Sequence, residues 1–462
     1  MLKDEKPFRA AGQASATFEP QPRPWSTPGE VTDKVTGVIF KNGTPLWWWF
    51  AFVVSLGLLG LYILMFLSIA IRGTYLWGIN VPVVWGMGIV NLIFWIGIGH
   101  AGTFISAFLL LMRQHWRGAF SRFAEAMTLF AVVVAGIFPL LHLGRIELFY
   151  YILPYPNTMI LHPQFRSPLA WDSLAIATYG TVSLIFWYID LIPDLGAMRD
   201  KAERMWVKRA YGTFALGWRG ESRHWSALHR TTYMLAAIAT PLVISVHSVI
   251  GLDFAVAQVP GWHHTIFPPF FVAGAIFSGL AMVLIFAVIF RSGFGLSGLI
   301  TDNHMDNAAK LMLVTGLIVT YGYLIENFAA WYSNHDYEVA LAVERALGTY
   351  APLYWGMIIC NAVIIQALWF KRVRRNNTAL VIISLFVLVG MWLERFVIVP
   401  VSLSFPFLES SWVTFQWTIW DVLTIIAPFG LFLVPMLLFM RLLPLLPIHE
   451  TQQVAVEEGG HD

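Results

Sequence analysis

Several ionisable residues interrupt long apolar runs. His142 and Arg145 close the stretch GIFPLLHLGR (136–145), Asp172 lies in SPLAWDSL (167–174), and His247 and Asp253 share SVHSVIGLDF (245–254). His100 sits in FWIGIGHAGTF (94–104), Glu326 in YGYLIENF (321–328), and Glu394 and Arg395 in MWLERFVIV (391–399). Glu125, Asp190 and Asp421 complete the set. An ionisable group in hydrocarbon costs a few kcal/mol or more unless it faces protein or water, which makes each of these a functional candidate.

Three chemistries suit such residues. The first is haem ligation, which needs two histidines on facing helices at one depth. Only His142 and His247 share a depth on a sequence reading, both near one face of the membrane, while His100 lies at mid-depth without a histidine partner. The second is binding of a quinol, whose oxidation releases two protons with two electrons. Its hydroxyls want groups that accept protons near neutral pH, such as a histidine or a carboxylate in an apolar pocket. His142 and Asp172 end and begin consecutive spans at the same depth, and the aromatic connection FYYILPYP (149–156) between them suits a ring-shaped headgroup. Asp253, His247, Arg145 and Arg395 complete that rim. The third is structural: His142 and Asp172 as helix caps, and Arg395 paired with Glu394 or Asp421. Residue types alone leave these readings open.

Below this level, His100, Glu125 and Asp190 are relay candidates between the rim and the opposite face, with Thr178, Tyr179, Thr181, Ser183 and Tyr188 able to hold waters between them. Glu326 is a similar candidate further along the chain. For His100 and Glu326 a bond to a neighbouring helix is the structural alternative, and the glycines around His100 allow helices to approach closely.

The elements that carry these residues follow from composition. The chain has 462 residues, 58% hydrophobic and 12% charged, against about 25% charged in a soluble domain. A formal net charge of +2 gives no footing for nucleic acid. Cys360 is the sole cysteine and lies in an apolar run, which excludes an intrachain disulfide and leaves no Cys-ligated zinc or iron–sulfur site; no metal site is expected. Ten stretches have the roughly 20 apolar residues that a membrane span needs: 47–71, 82–112, 118–143, 169–192, 230–252, 267–290, 309–332, 350–370, 377–402 and 417–440. The predicted fold is all-α: two four-helix bundles, spans 2–5 (82–252) and 6–9 (267–402), with spans 1 and 10 peripheral. Residues 1–46 read as a polar, extended arm without the apolar core of a signal peptide, and 441–462 as a mobile acidic tail.

Of the 29 lysines and arginines, 24 fall in the arm, the even-numbered connections and the tail. The bias of basic residues to the cytoplasmic side predicts both termini there, with His142, Asp172 and Asp253 near the outer face of a bacterial inner membrane.

Four stretches carry a family likeness: WGINVPVVWGMGIVNLIFWIGIGHAGTFISAFLLL (77–111), FAEAMTLFAVVVAGIFPLLHLGR (123–145), SPLAWDSLAIATYG (167–180) and SVHSVIGLDFAVAQVPGWHHTIFPPFFVAGAIFSG (245–279). Over roughly residues 47–440 the chain resembles the NrfD/polysulfide-reductase membrane subunits, and most resembles the larger NrfD-type subunit of bacterial alternative complex III. The resemblance implies a cofactor-free subunit that binds menaquinol or ubiquinol at the outer face through His142, Asp172 and Asp253. It implies partners that carry the redox centres: an iron–sulfur subunit, a multihaem cytochrome c subunit, a second NrfD-type subunit and small membrane subunits. It also raises proton translocation. The competing readings are a membrane subunit of a molybdopterin-type reductase, and a secondary transporter. The transporter should show matched Gly/Pro breaks in its two halves, whereas Pro139 and Pro241 break spans of the first half with no evident counterpart in the second.

Overall fold

The computed structural model describes residues 27–41, 43–152 and 168–457, with side chains through 150 and from 170 to 452. The helices are α1 (Pro28–Phe40), α2 (Leu46–Arg72), α3 (Met87–Leu111), α4 (Ser121–His142), α5 (Pro168–Lys201), α6 (Met205–Phe214) and α7 (Ser222–Ala255). They continue as α8 (Phe267–Gly293), α9 (Asp302–Ser333), α10 (Asp336–Leu347), α11 (Ala351–Trp369), α12 (Asn377–Ser404), α13 (Ile419–Leu442) and α14 (Ile448–Glu457). Ten of these are long and apolar enough to span: α2, α3, α4, α5, α7, α8, α9, α11, α12 and α13. The described residues contain no strand.

Three boundaries depart from the sequence reading. α5 runs on past Pro193 to Lys201, and α7 begins at Ser222 instead of 230. Apolar length marks where hydrocarbon ends, but a helix continues into water when its next turns find partners. Asp194, in the continuation of α5, is buried against Arg122. The polar arm is not extended throughout: Pro28–Phe40 is helical, started by Thr27, whose hydroxyl accepts from the Glu30 amide at 3.4 Å. The tail likewise forms α14. Residues 1–26 of the arm, the connection 153–167 with Arg166, and 458–462 lie outside the described residues.

α3, α4, α5 and α7 pack together, as do α8, α9, α11 and α12. α2 and α13 pair with each other along the side of α3 and α4. The two groups of four share a seam, with α8 against both α3 and α7, and α12 against α3. α3 is therefore a hub: 89% of its most apolar stretch is buried, against 17% for α2. Small residues make that possible. A Cβ on Gly102 would stand 2.0 Å from the Ala124 carbonyl oxygen of α4, and one on Gly279 of α8 would stand 2.4 Å from Ala101 Cβ. Gly57 of α2 has no neighbour within 4 Å.

These distances separate the glycines experimentally. Gly102→Ala should cost more than the roughly 1–3 kcal/mol of ordinary overpacking, because backbone has to move. Its yield of monodisperse protein in detergent should collapse, while Gly57→Ala behaves as the parent. Equal yields would mean that α3 and α4 are not in this contact.

Candidate functional site

At the end of the molecule opposite α1 and α14, Asp172 in the first turns of α5 meets Asp253 in the last turn of α7. They are 5% and 9% exposed, and their carboxyl groups face each other within interaction range. A carboxylate only accepts, so a hydrogen bond between them needs a proton held by one of the two. Oδ1 of each is buried and has no partner elsewhere among the described residues.

An aromatic cluster starts at the residue after Asp253. Phe254, next to Asp253, lies 4.8 Å from Trp262, 5.5 Å from Phe271 and 6.0 Å from Trp85. Trp85 makes an edge contact with His142 at 6.3 Å, and the Arg395 guanidinium stands 4.4 Å over the Phe271 ring. His142 is half-buried and reaches the aspartates through Trp85 and Phe254; among the described residues no hydrogen bond joins it to either acid. Arg145 is exposed beyond it. Tyr151 and the connection proposed to wall the site from 153 onward lie outside the described side chains. Trp85, Trp262, Phe254 and Phe271 escaped the sequence reading, since aromatic residues are common in every span and only packing tells which converge.

His100 and His247 require a correction. Instead of sharing a depth with His142, His247 pairs with His100: His247 Nδ1 and His100 Nε2 are 3.2 Å apart, with ring centroids 4.1 Å apart. His247 lies two turns below the end of α7, deeper than an apolar-run count suggested. His100 Nδ1 is 2.6 Å from the Ile96 carbonyl and must donate to it, so its Nε2 accepts from His247. The His100 ring also stacks on Tyr179 at 5.0 Å, and Tyr179 donates to the Gly99 carbonyl at 3.0 Å while contacting Thr103 at 2.9 Å. Two histidines bonded directly to each other have no space for an iron between them. The His142–His247 haem reading therefore falls on geometry. His247 Nε2 is buried without a protein partner.

Across the seam, Arg395 pairs with Glu394 at 2.6 Å rather than with Asp421, which instead bonds the Thr418 and Gly78 amides at 2.9 Å each. Tyr323 donates to Glu394, and Asn361 donates to the Tyr323 hydroxyl at 2.7 Å. Glu326 pairs with Arg345 at 2.6 Å, the interhelical alternative of the sequence reading, and Arg345 also donates to Ser402 at 2.7 Å. Single π turns occur at Phe104–Phe108, Ile359–Val363 and Val397–Val401. They lie beside His100, around Asn361 and after Arg395; such turns gather at functional positions.

At the basic end, Glu125 and Asp190 belong to a larger group. Arg122 contacts Asp194 at 2.7 Å and Asp190 at 3.2 Å, Glu125 lies one turn from Arg122 with a buried, unpartnered Oε2, and Arg117 pairs with Glu450 of α14. Asp194 and Glu450 were missed; Asp194 falls four residues after Asp190, on the same face, once α5 is carried through Pro193.

The chain belongs to the NrfD polysulphide reductase family, whose sequence model matches residues 75–406. It is similar to the membrane-bound C chain of a putative dimethyl sulfoxide reductase of Halobacterium salinarum, 27% identical over 207 residues, covering 44% of this chain and 43% of that one. It is also similar to the C chain of the selenate reductase of Mesobacillus selenatarsenatis, 22% identical over 329 residues, 69% of this chain and 68% of that one. The chain thus matches less than half the length of the first relative and about two thirds of the second. Both names are those of reductase components; neither points to alternative complex III.

The Glu394–Arg395 pair generates a prediction. Removing one member of a buried pair typically costs about 3–5 kcal/mol, whereas replacing both with apolar residues is often near neutral. Arg395→Met alone should lower the midpoint of thermal unfolding in detergent sharply, and the double variant with Glu394→Leu should recover most of it. Additive losses would show that the two charges do not neutralise each other.

Proposed function

We propose that this chain is the quinone-binding membrane subunit of a reductase complex of the molybdopterin type, taking two electrons from a quinol near Asp172 and Asp253 and passing them to a redox centre in a partner. The observation that carries the reading is the buried Asp172–Asp253 pair, two acids facing each other with no basic group bonded to either among the described residues, next to the aromatic cluster of Trp85, Phe254 and Phe271 that starts at the residue after Asp253. Family membership and the reductase names of both relatives support it. The likeness to the alternative complex III subunit rests on the four sequence stretches alone, and the complex expected here has an iron–sulfur subunit and a molybdenum-bearing subunit rather than a multihaem cytochrome c. The basic-residue bias supports a site near the outer face of the cytoplasmic membrane, with both termini inside.

Menaquinol or ubiquinol fits equally. The quinol loses two hydroxyl protons and two electrons. The aspartate pair, already sharing one proton, takes one of the two, and His142, on the other side of Trp85, takes the second. Arg395, held by Glu394 and stacked on Phe271, sets the electrostatic field of the cluster without needing to touch the ring. The electrons leave to the partner, because this chain's polar groups hold protons only.

Asp172→Asn and Asp253→Asn should each lower quinol oxidation by the purified complex by about 100-fold or more, the scale of a lost positioned proton acceptor. The make-up of the complex and the partner's redox spectra should stay unchanged, and His142→Ala should show a smaller loss. Parental turnover in both asparagine variants would refute the site.

Proton movement across the membrane is a further part of the proposal. His100, Tyr179, Thr103 and Ser183 form one bonded and stacked group between the outer site and Asp190. Proteoliposomes carrying Glu125→Gln or His100→Ala should oxidise quinol with fewer protons moved per electron. An unchanged ratio in both would exclude this route.

A further inference from the structure

At the basic end, the ends of α3, α5 and α7 surround a cavity of about 270 Å³, room for several waters. Its walls carry Arg117, Arg122, Asp190, Asp194, His229 and Glu450. Arg113 lines it as well, so three arginines face three acids, and Glu125 adds a further carboxyl beside Arg122. Several polar atoms here are buried without a protein partner: Nε and Nη1 of Arg122, Oγ1 of Thr232 and Oε2 of Glu125. Arg122 itself is 1% exposed. Buried donors and acceptors of this kind are satisfied by water when protein does not reach them.

One wall does not belong to the bundle. The first turn of α14 lies across the mouth. The Ile448 amide donates to Asp194 Oδ1 at 3.2 Å, the His449 ring lies 3.9 Å from that of Trp225, and Glu450 pairs with Arg117. On its other side, Gln452 donates to Thr32 Oγ1 at 2.7 Å and to the Pro28 carbonyl at 3.0 Å, and α1 is tied to α5 through Asp33 and Lys201 at 2.7 Å. Ile448 anchors this turn in the core, where it is buried together with Leu445 and Leu446, while the groups that face the mouth are held by polar and aromatic contacts.

We infer that the cavity is a water-filled chamber through which solvent at the basic end exchanges protons with Asp190, Asp194 and Glu125, and that α14 is its lid. The ligand is water and the proton it carries. The lid contributes groups of its own: burial lifts the Glu450 carboxyl above the ordinary carboxylate range despite Arg117 beside it, and burial lowers His449. This inference does not depend on what binds at Asp172 and Asp253, and its test reads no turnover.

Cys360 is the only cysteine, so Cys360→Ser gives a clean background. In the full-length chain within its complex, Thr232→Cys places one thiol on the chamber wall. Labelling by a small, charged methanethiosulfonate should be slow, and at least tenfold faster when His449→Ala and Glu450→Ala are added. Ala131→Cys, buried on α4 away from the chamber, should stay unlabelled in both. Removal of residues 447–462 should give the same acceleration, which covers the case where the point variants leave α14 in place. An equal rate with and without α14 overturns the lid, and no labelling of Thr232→Cys in either form overturns the chamber.

Discussion

The histidine pair and its neighbours depend on how closely α3 can lie against α4 and α8. Three contacts show it. Gly102 admits the α4 backbone, Gly279 admits Ala101, and the Gly99 carbonyl accepts from Thr128 of α4 and Tyr179 of α5. Helices in lipid gain little from apolar burial alone, because the lipid tails are as apolar as the side chains; packing and interhelical hydrogen bonds hold them. With α3 at the centre, His100 meets His247 and stacks on Tyr179. The seam between the two groups of four then brings Phe271 of α8 to Phe254 of α7. A bulkier residue at Gly102 would push apart partners that are not themselves in contact with it.

Charge is handled locally throughout. Arg395 has Glu394, Arg345 has Glu326, Arg122 has Asp194 and Asp190, and Arg117 has Glu450. Against that background the Asp172–Asp253 pair stands out, because two acids face each other with no basic group bonded to either among the described residues. Coulomb repulsion in a medium of low polarisability is strong enough to forbid two adjacent charges, so the pair can change its proton content where the matched pairs cannot. The same contrast separates His100 and His247, which bond as neutral rings, from the arginines across the seam.

The ten spans, their order and the all-helical class were legible because apolar length is a direct readout of hydrocarbon thickness. Asp172 and Asp253 were legible as individuals, since acids in apolar runs are rare. Their pairing was not, because it depends on α5 and α7 being neighbours with one helix starting where the other ends. His247 was misplaced for a related reason. Counting from the end of the apolar run at 252 placed His247 nearer the surface than it is, because α7 runs on to Ala255 at that end. The contributions of Asp194 and Glu450 were hidden because they lie beyond the apolar stretches, where helix continues on polar contacts alone. The clustered aromatics had no sequence signal that distinguishes them from other Trp and Phe residues.

The pairing of α2 with α13 bears on how the chain is made. Trp48 of α2 donates to the Leu437 carbonyl of α13 at 3.1 Å, and Gly430 of α13 lies so close to α2 that a Cβ there would meet the Leu59 amide nitrogen at 2.2 Å. α2 thus has a close partner in α13, with eight other spans inserted between the two. A helix that waits in lipid for that long has to be comfortable there alone, and α2 carries no acidic or basic residue before Arg72. The histidine-bearing spans come later, and α7 follows α3 by three spans, so that His247 meets His100 soon after. Asp421 of α13, by contrast, reaches back to the Gly78 amide ahead of α3.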